Sequence, residues 1–295
     1  MGHRKKPDDG ISLFTVGKVA WNEYVRWICN PRIIMFFCML LFIETYVVEK
    51  MLGYSTKLGV PLGIFEVFTA VANSVQLCLV IPAVFLLLMG DFPRKDGNTL
   101  LYVHRAGKYN WFLGQVLMVV YSAATYIGAI VFFCIVACTG HITTANHWSD
   151  VVTRYTAVFP DEKNVIVTDL INGRLYNNFT PLQAFGYSVT LLFGLMLLLS
   201  MVKIVFFLLG NPGLGIAVDG LLIGSGWTLN LVETKLKWLF PMAHAIEWQH
   251  CDLVFRTMDV SMAQSYLYFG MLSMALFIVG LLLLEKYNFG YTQAL

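Results

Sequence analysis

Long apolar runs alternate with short polar breaks along the chain, and six of the runs reach the length of a membrane crossing. They cover about 33–52, 61–89, 111–138, 181–209, 213–231 and 262–284. A hydrocarbon core about 30 Å thick takes roughly 20 apolar helical residues, so each run predicts one transmembrane helix. Pro61 and Pro181 open the second and fourth runs, a position where the missing N–H of proline costs a helix least. Those two runs are long enough to tilt or to project from the bilayer.

Two polar segments carry a helical pattern of their own. In "TVGKVAWNEYVRWICN", residues 15–30, Lys18, Asn22 and Arg26 recur at helical spacing, and Val16, Ala20, Tyr24, Trp27 and Ile28 fall on the opposite arc, with Val19 off that arc. A basic face opposed by tryptophans predicts a helix lying in the headgroup boundary, after a tail at 1–14 and before a break at "NPR", Asn30 to Arg32. The second segment, within 91–110, contains "GNTLLYVHRAGK" between the second and third runs. Asp96 or Asn98 suits its N-cap, Gly107 its end, and Lys108, Tyr109 and Trp111 the return to the interface. A short capped helix is predicted there.

Composition and charge set the environment and the orientation. The chain of 295 residues is 58% hydrophobic and 13% charged, against about 25% charged in soluble domains, which predicts an all-α integral membrane protein. A net charge of +2 without a basic stripe argues for no nucleic-acid partner. Twelve of the 20 Lys and Arg fall before the first run, in the segment after the second, and at the ends of the fourth and sixth. By the positive-inside bias both termini are cytoplasmic, leaving longer outer loops at 139–180 and 232–261. The cysteines lie mostly in or beside apolar runs and predict free thiols rather than a disulfide framework. "MGHRKKPDDG" reads as no cleavable signal.

Ionisable residues inside a membrane are functional candidates, and four stand out: Glu44, Glu66, Lys203 and Asp219. Lys203 and Asp219 flank the turn "GNPG" at nearly equal depth, which predicts a salt bridge. Glu44 and Glu66 also share a depth, where two carboxylates cannot both stay charged unless one faces water. On the outer side His141, His147, His244, Glu247, His250, Cys138 and Cys251 offer metal-ligand chemistry, but "HAIEWQHC" lacks the His-Glu-x-x-His register, and no metal is expected. Ser225 in "GSG" has no histidine to activate it in the last run, which argues against an intramembrane hydrolase. "NFT" at Asn178 fits a glycosylation acceptor.

The order of features, with "RKDGNTLLYVHRAGKYNWFLGQ" between the second and third spans, resembles the membrane subunit of an ABC-2-type ATP-binding-cassette exporter across nearly the whole chain. The resemblance implies six spans (31–295), an interfacial helix, and a cytoplasmic coupling helix gripped by a separate ATPase. It implies coupling contacts at Thr99, Leu100, Tyr102, His104, Arg105 and Lys108. It further implies a homodimer or heterodimer of permease subunits in the bacterial cytoplasmic membrane, with ATP and Mg held by the partner. No G-x-x-x-x-G-K-[ST] phosphate loop occurs in this chain, so the expectation is a transport subunit without its own ATPase activity. Two other classes stay open: an ion- or proton-coupled carrier using Glu44, Glu66 and Asp219, and a non-transporting immunity or sensor protein. The outer loops match no cargo signature.

Overall fold

A computed structural model describes residues 10–94, 96–159, 171–232, 234–252 and 257–287. The chain is an all-α membrane protein. Four helices are each long and apolar enough to cross a bilayer: α7 (Lys108–Ala137), α8 (Pro181–Leu208), α9 (Pro212–Leu231) and α11 (Met262–Lys286). Two bent pairs meet that test only together, so the chain has four crossings, or up to six if each pair is one span. The pairs are Leu13–Ile28 with Ile33–Leu58, bent by 63°, and Glu66–Asn73 with Leu77–Leu88, bent by 82°.

The first pair begins with α1 (Leu13–Ile28), capped by Ser12, whose side chain accepts from Thr15 N. Its buried face is Val16, Val19, Ala20, Glu23 and Trp27, laid along α7. Val19 is therefore not misplaced: it presses on Gly114, where a Cβ would come within 2.6 Å of the valine. The arc read as lipid-facing is rotated, because α7 supplies a protein surface; Leu13, Phe14, Trp21, Val25 and Ile28 are the large apolar side chains left exposed. After the break at Asn30–Arg32 comes α2 (Ile33–Ile43), a π turn over Glu44–Val48, and α3 (Glu49–Leu58). The first run thus extends beyond residue 52.

The second run is not one helix. Pro61 precedes a two-residue strand, Leu62–Gly63, that pairs in parallel with Ile142–Thr143. Only then does α4 (Glu66–Asn73) begin, followed after a break by α5 (Leu77–Leu88). An eight-residue helix is too short to cross a bilayer at 1.5 Å per residue. The carbonyls at the break find new donors: Asn73 O accepts from Trp248 Nε1 at 3.1 Å and Val75 O from Trp227 Nε1 at 3.0 Å. Freed backbone groups at membrane depth are tolerated only with such partners.

Next come α6 (Gly97–Ala106) and, after Gly107 alone, α7. At the centre stands α8, with 78% of its apolar window buried, against 17% for α11. On α11, Leu267, Met271, Met274, Ile278 and Leu282 form an exposed apolar stripe of the kind that faces lipid. The loop after α7 contains short helical turns at Asp150–Thr153, Tyr155–Val158 and Gly173–Asn178. The segment read as an irregular outer loop after α9 instead folds inward as a 3-10 turn (Lys235–Leu239), α10 (Pro241–Ala245) and a second 3-10 turn (Glu247–His250). Met242, Ala243, His244, Glu247, Gln249 and His250 within it are buried.

Candidate functional site

Polar side chains gather at the two ends of the helix bundle. At one end α6 is capped as its sequence predicts. Asp96 accepts from Thr99 N at 2.9 Å, and Gly107 ends the helix with φ +81°, a conformation that costs other residues strain. Asp96 also pairs with Arg26 of α1, which reaches Glu23 at 3.2 Å, while Arg94 donates to the Arg26 carbonyl at 3.1 Å. Burial raises the Asp96 carboxyl, but hydrogen bonds from Arg26 and Thr99 outweigh it and hold the group below its ordinary range. Glu23 is the reverse case: burial dominates over Arg26 and leaves its carboxyl raised.

Asn110 completes this end. Its Oδ1 accepts from Ser12 N at 2.9 Å, and its Nδ2 donates to Ala106 O at 2.7 Å and Gly10 O at 3.1 Å. One buried amide therefore fastens the start of α1 and the end of α6 to α7. Sequence reasoning passed over it, although an asparagine at the threshold of an apolar run is a visible signal.

The six expected coupling residues fare differently. His104 and Arg105 are exposed on the last turn of α6. Thr99 is buried, and its hydroxyl donates to Arg94 O at 2.9 Å, so it serves the cap rather than an outside partner. Lys108 belongs to α7, and its ammonium lies 3.4 Å from the carbonyls of Leu284 and Glu285 at the end of α11. Its charge thus completes a helix C-terminus within the chain. The side chains of Leu100 and Tyr102 lie outside the described residues, as does Lys95.

The four membrane charges do not assemble as expected. Lys203 and Asp219 are both buried, but no ion-pair contact joins them among the described residues. Lys203 donates to the Met89 carbonyl at the end of α5, and both Asp219 oxygens lack a hydrogen-bond partner among the described residues. The Lys203 backbone packs against Gly215, whose added Cβ would stand 3.5 Å from the Lys203 Cα, one helical turn before Asp219. Glu44 is half-buried at the start of the π turn. Glu66 is fully buried and accepts from Gly63 N at 2.9 Å, from Ser149 N, and from Ser149 Oγ at 2.7 Å. It latches the loop after α7 onto the start of α4, so of the three carboxylates that would serve a carrier, this one is already occupied internally.

The other end of the bundle holds a second polar assembly. Asn73, at the break between α4 and α5, receives Glu247 N on its Oδ1 at 3.1 Å and donates to Ser188 Oγ of α8 at 3.0 Å. Ser188 donates in turn to Glu247. Burial, only partly offset by Ser188 and Asn73, pushes the Glu247 carboxyl up to about 8. Beside it, Ser265 of α11 stands between His244 Nδ1 at 2.8 Å and His250 Nε2 at 2.7 Å. Burial lowers both imidazoles, His250 to about 4. Asn73, Ser188 and Ser265 went unread in the sequence; each is a polar residue interrupting an apolar run.

Among the described residues no three His, Cys, Asp or Glu side chains converge as a metal site. His141 and His147 are exposed, while Cys138 and Cys251 are buried free thiols. Ser225 donates to the Leu221 carbonyl of its own helix. Asn178 donates to Arg174 O at 2.7 Å, within its own helical turn. Compared with known proteins, the chain matches no family model, no curated protein and no solved structure.

Proposed function

We propose that this chain is the membrane permease subunit of an ATP-driven ABC-2-type exporter, coupled through α6 to a separate ATPase. In this reading α1 is an interfacial helix, Ile33–Leu58 is the first span and the bent pair Glu66–Asn73 with Leu77–Leu88 is the second, giving six, and both termini and α6 face the cytoplasm of a bacterial cell membrane. Two permease subunits, alike or different, work with two ATPases that hold ATP and Mg, and this chain is not itself an enzyme.

The observation that carries the proposal is the construction of α6. A ten-residue helix is marginal alone in water, yet this one is capped at both ends and pinned to α1, α7 and, through Lys108, to α11. Those ties leave His104 and Arg105 facing out. A handle fixed to several helices transmits a push to the bundle as a rigid body, whereas a solvated connection needs no such anchorage.

The test begins with a search for a neighbouring reading frame encoding a phosphate-loop ATPase, whose absence would count against the proposal, and co-expresses the chain with the ATPase so found. His104→Glu combined with Arg105→Glu is expected to lose co-purification and the stimulation of ATP hydrolysis, with the unfolding temperature of the permease unchanged. Wild-type association and stimulation in that variant would remove the coupling role from α6.

A further inference from the structure

The His244, Ser265 and His250 assembly poses a question of hydrogen counting. His244 Nε2 lies 2.9 Å from the carbonyl of Trp238, and His250 Nδ1 lies 3.0 Å from that of Ile246 and 3.3 Å from that of Glu247. Carbonyls only accept, so these two nitrogens carry the ring hydrogens, and a neutral imidazole has only one. The nitrogens left bare, Nδ1 of His244 and Nε2 of His250, both face Ser265 Oγ, at 2.8 and 2.7 Å. A serine hydroxyl has one hydrogen to give. With both rings neutral, one of these close contacts sets lone pair against lone pair.

We infer that His244, Ser265 and His250 form a buried binding site for a single proton, at the end of the bundle away from α6. One added proton on either ring makes that ring a donor to Ser265 Oγ, and the hydroxyl then donates to the other ring. Both contacts become hydrogen bonds. A second proton is disfavoured: Ser265 Oγ has lone pairs for both rings, but its own hydrogen would lose its acceptor, and two cations would stand with ring centres 6.5 Å apart.

The surroundings set when the site loads. Lys237 lies on the preceding 3-10 turn, its ammonium donating to Gln249 and lying 5.2 Å from the Trp238 ring centre, and it disfavours a further positive charge. From α8 come Ser188 and from α4 Asn73, both neutral, bonded to Glu247. Tyr268 of α11 stacks on His244 at 4.0 Å, Tyr266 adds a neutral phenol, and Arg174 lies over the Trp248 ring. Glu247, raised to about 8 by burial, stays protonated at neutral pH and supplies no countercharge. The proton therefore enters below neutrality, within the range that burial imposes on the two rings.

The test is a nitrogen-15 NMR titration of the full chain, histidine-labelled and held in lipid nanodiscs, from about pH 8 to about pH 3, below the His250 value of about 4, with signals assigned through His244→Asn and His250→Gln. At the alkaline end His244 is expected as the Nε2–H tautomer and His250 as the Nδ1–H tautomer. On acidification the pair is expected to take up one proton in one step that moves the signals of both rings. Ser265→Ala is expected to uncouple the rings, and Ser265→Thr, which keeps the hydroxyl, to preserve the single step. Uptake of two protons, independent titration of the rings, or no uptake by the acid end would overturn the site. These readings come from the wild-type chain and hold even if Ser265→Ala fails to fold.

Discussion

The two ends of the bundle are built from similar residues and use them in opposite ways. Where Asn73, Ser188, Glu247 and the two histidines meet, the side chains are sealed in, and Glu66 is equally enclosed beneath Ser149. At the α6 end, Asp96, Asn110 and Lys108 bond to main-chain groups at helix termini, and His104 and Arg105 stay outside. A polar group whose partner is buried in the same chain acts on stability. One left exposed beside a rigid anchor is available to another molecule. Substitutions should separate the two ends by the size and reach of their effect.

The largest loss is expected at Glu66. Glu66→Ala leaves Gly63 N, Ser149 N and the Ser149 hydroxyl without their acceptor, and each buried unpaired group costs on the order of 1–3 kcal/mol. The thermal unfolding midpoint in detergent should fall by an amount corresponding to about 3 kcal/mol or more. A midpoint within a degree of wild type would mean that the loop after α7 is not held by this carboxylate.

Glu247 and His250 should give stability two opposed pH limbs. The Glu247 carboxyl is raised from 4.5 to about 8. The stability it contributes is fully present below 4.5 and is lost as pH rises through about 8. The His250 ring is lowered from 6.5 to about 4, so its contribution is fully present above 6.5 and is lost as pH falls through about 4. Each limb is on the order of a few kcal/mol. Melting curves across pH should lose the alkaline limb in Glu247→Gln and show a smaller acid limb in His250→Asn, where only the lowered His244 ring remains. With a one-proton site the slope contributed by the two histidines should fall from two protons to one as the site loads, because the unfolded chain protonates both rings and the folded chain only one.

Local features were legible in the sequence and reciprocal ones were not. The ends of α6 could be read because a cap is a contact between neighbours, Asp96 with Thr99 and Gly107 with its own backbone. The break at Asn30–Arg32 is visible for the same reason. The bend after Asn73 was hidden because its partners, Glu247 and Trp248, lie far along the chain, and hydrophobic periodicity reports burial rather than direction. Lys203 and Asp219 could be picked out as buried charges, but the lysine packs level with Gly215 and the carbonyl of Met89 captured its ammonium. The histidines were noted together in sequence. Their meaning came only with Ser265, which α11 brings between them.

The smallest effect, and the sharpest contrast with Glu66, is expected at Asp96. Asp96→Ala removes a cap worth about 1 kcal/mol and a partly exposed ion pair with Arg26 worth at most about 1 kcal/mol. Because α6 lies at the edge of the bundle, the loss should appear as local opening rather than global unfolding. Backbone amides bonded within its last turn, such as Gly107 N to Val103 O, should exchange hydrogen roughly tenfold faster, the factor that follows from about 1.4 kcal/mol. The unfolding midpoint should barely move. Asp96→Asn keeps an acceptor for Thr99 N and loses only the charge, so it isolates the Arg26 pair and should raise exchange by less than about fivefold. If Asp96→Ala instead lowered the midpoint as far as Glu66→Ala, α6 would be as integral to the fold as the opposite end. Its exposed basic residues would then sit on part of the core rather than on a separable handle.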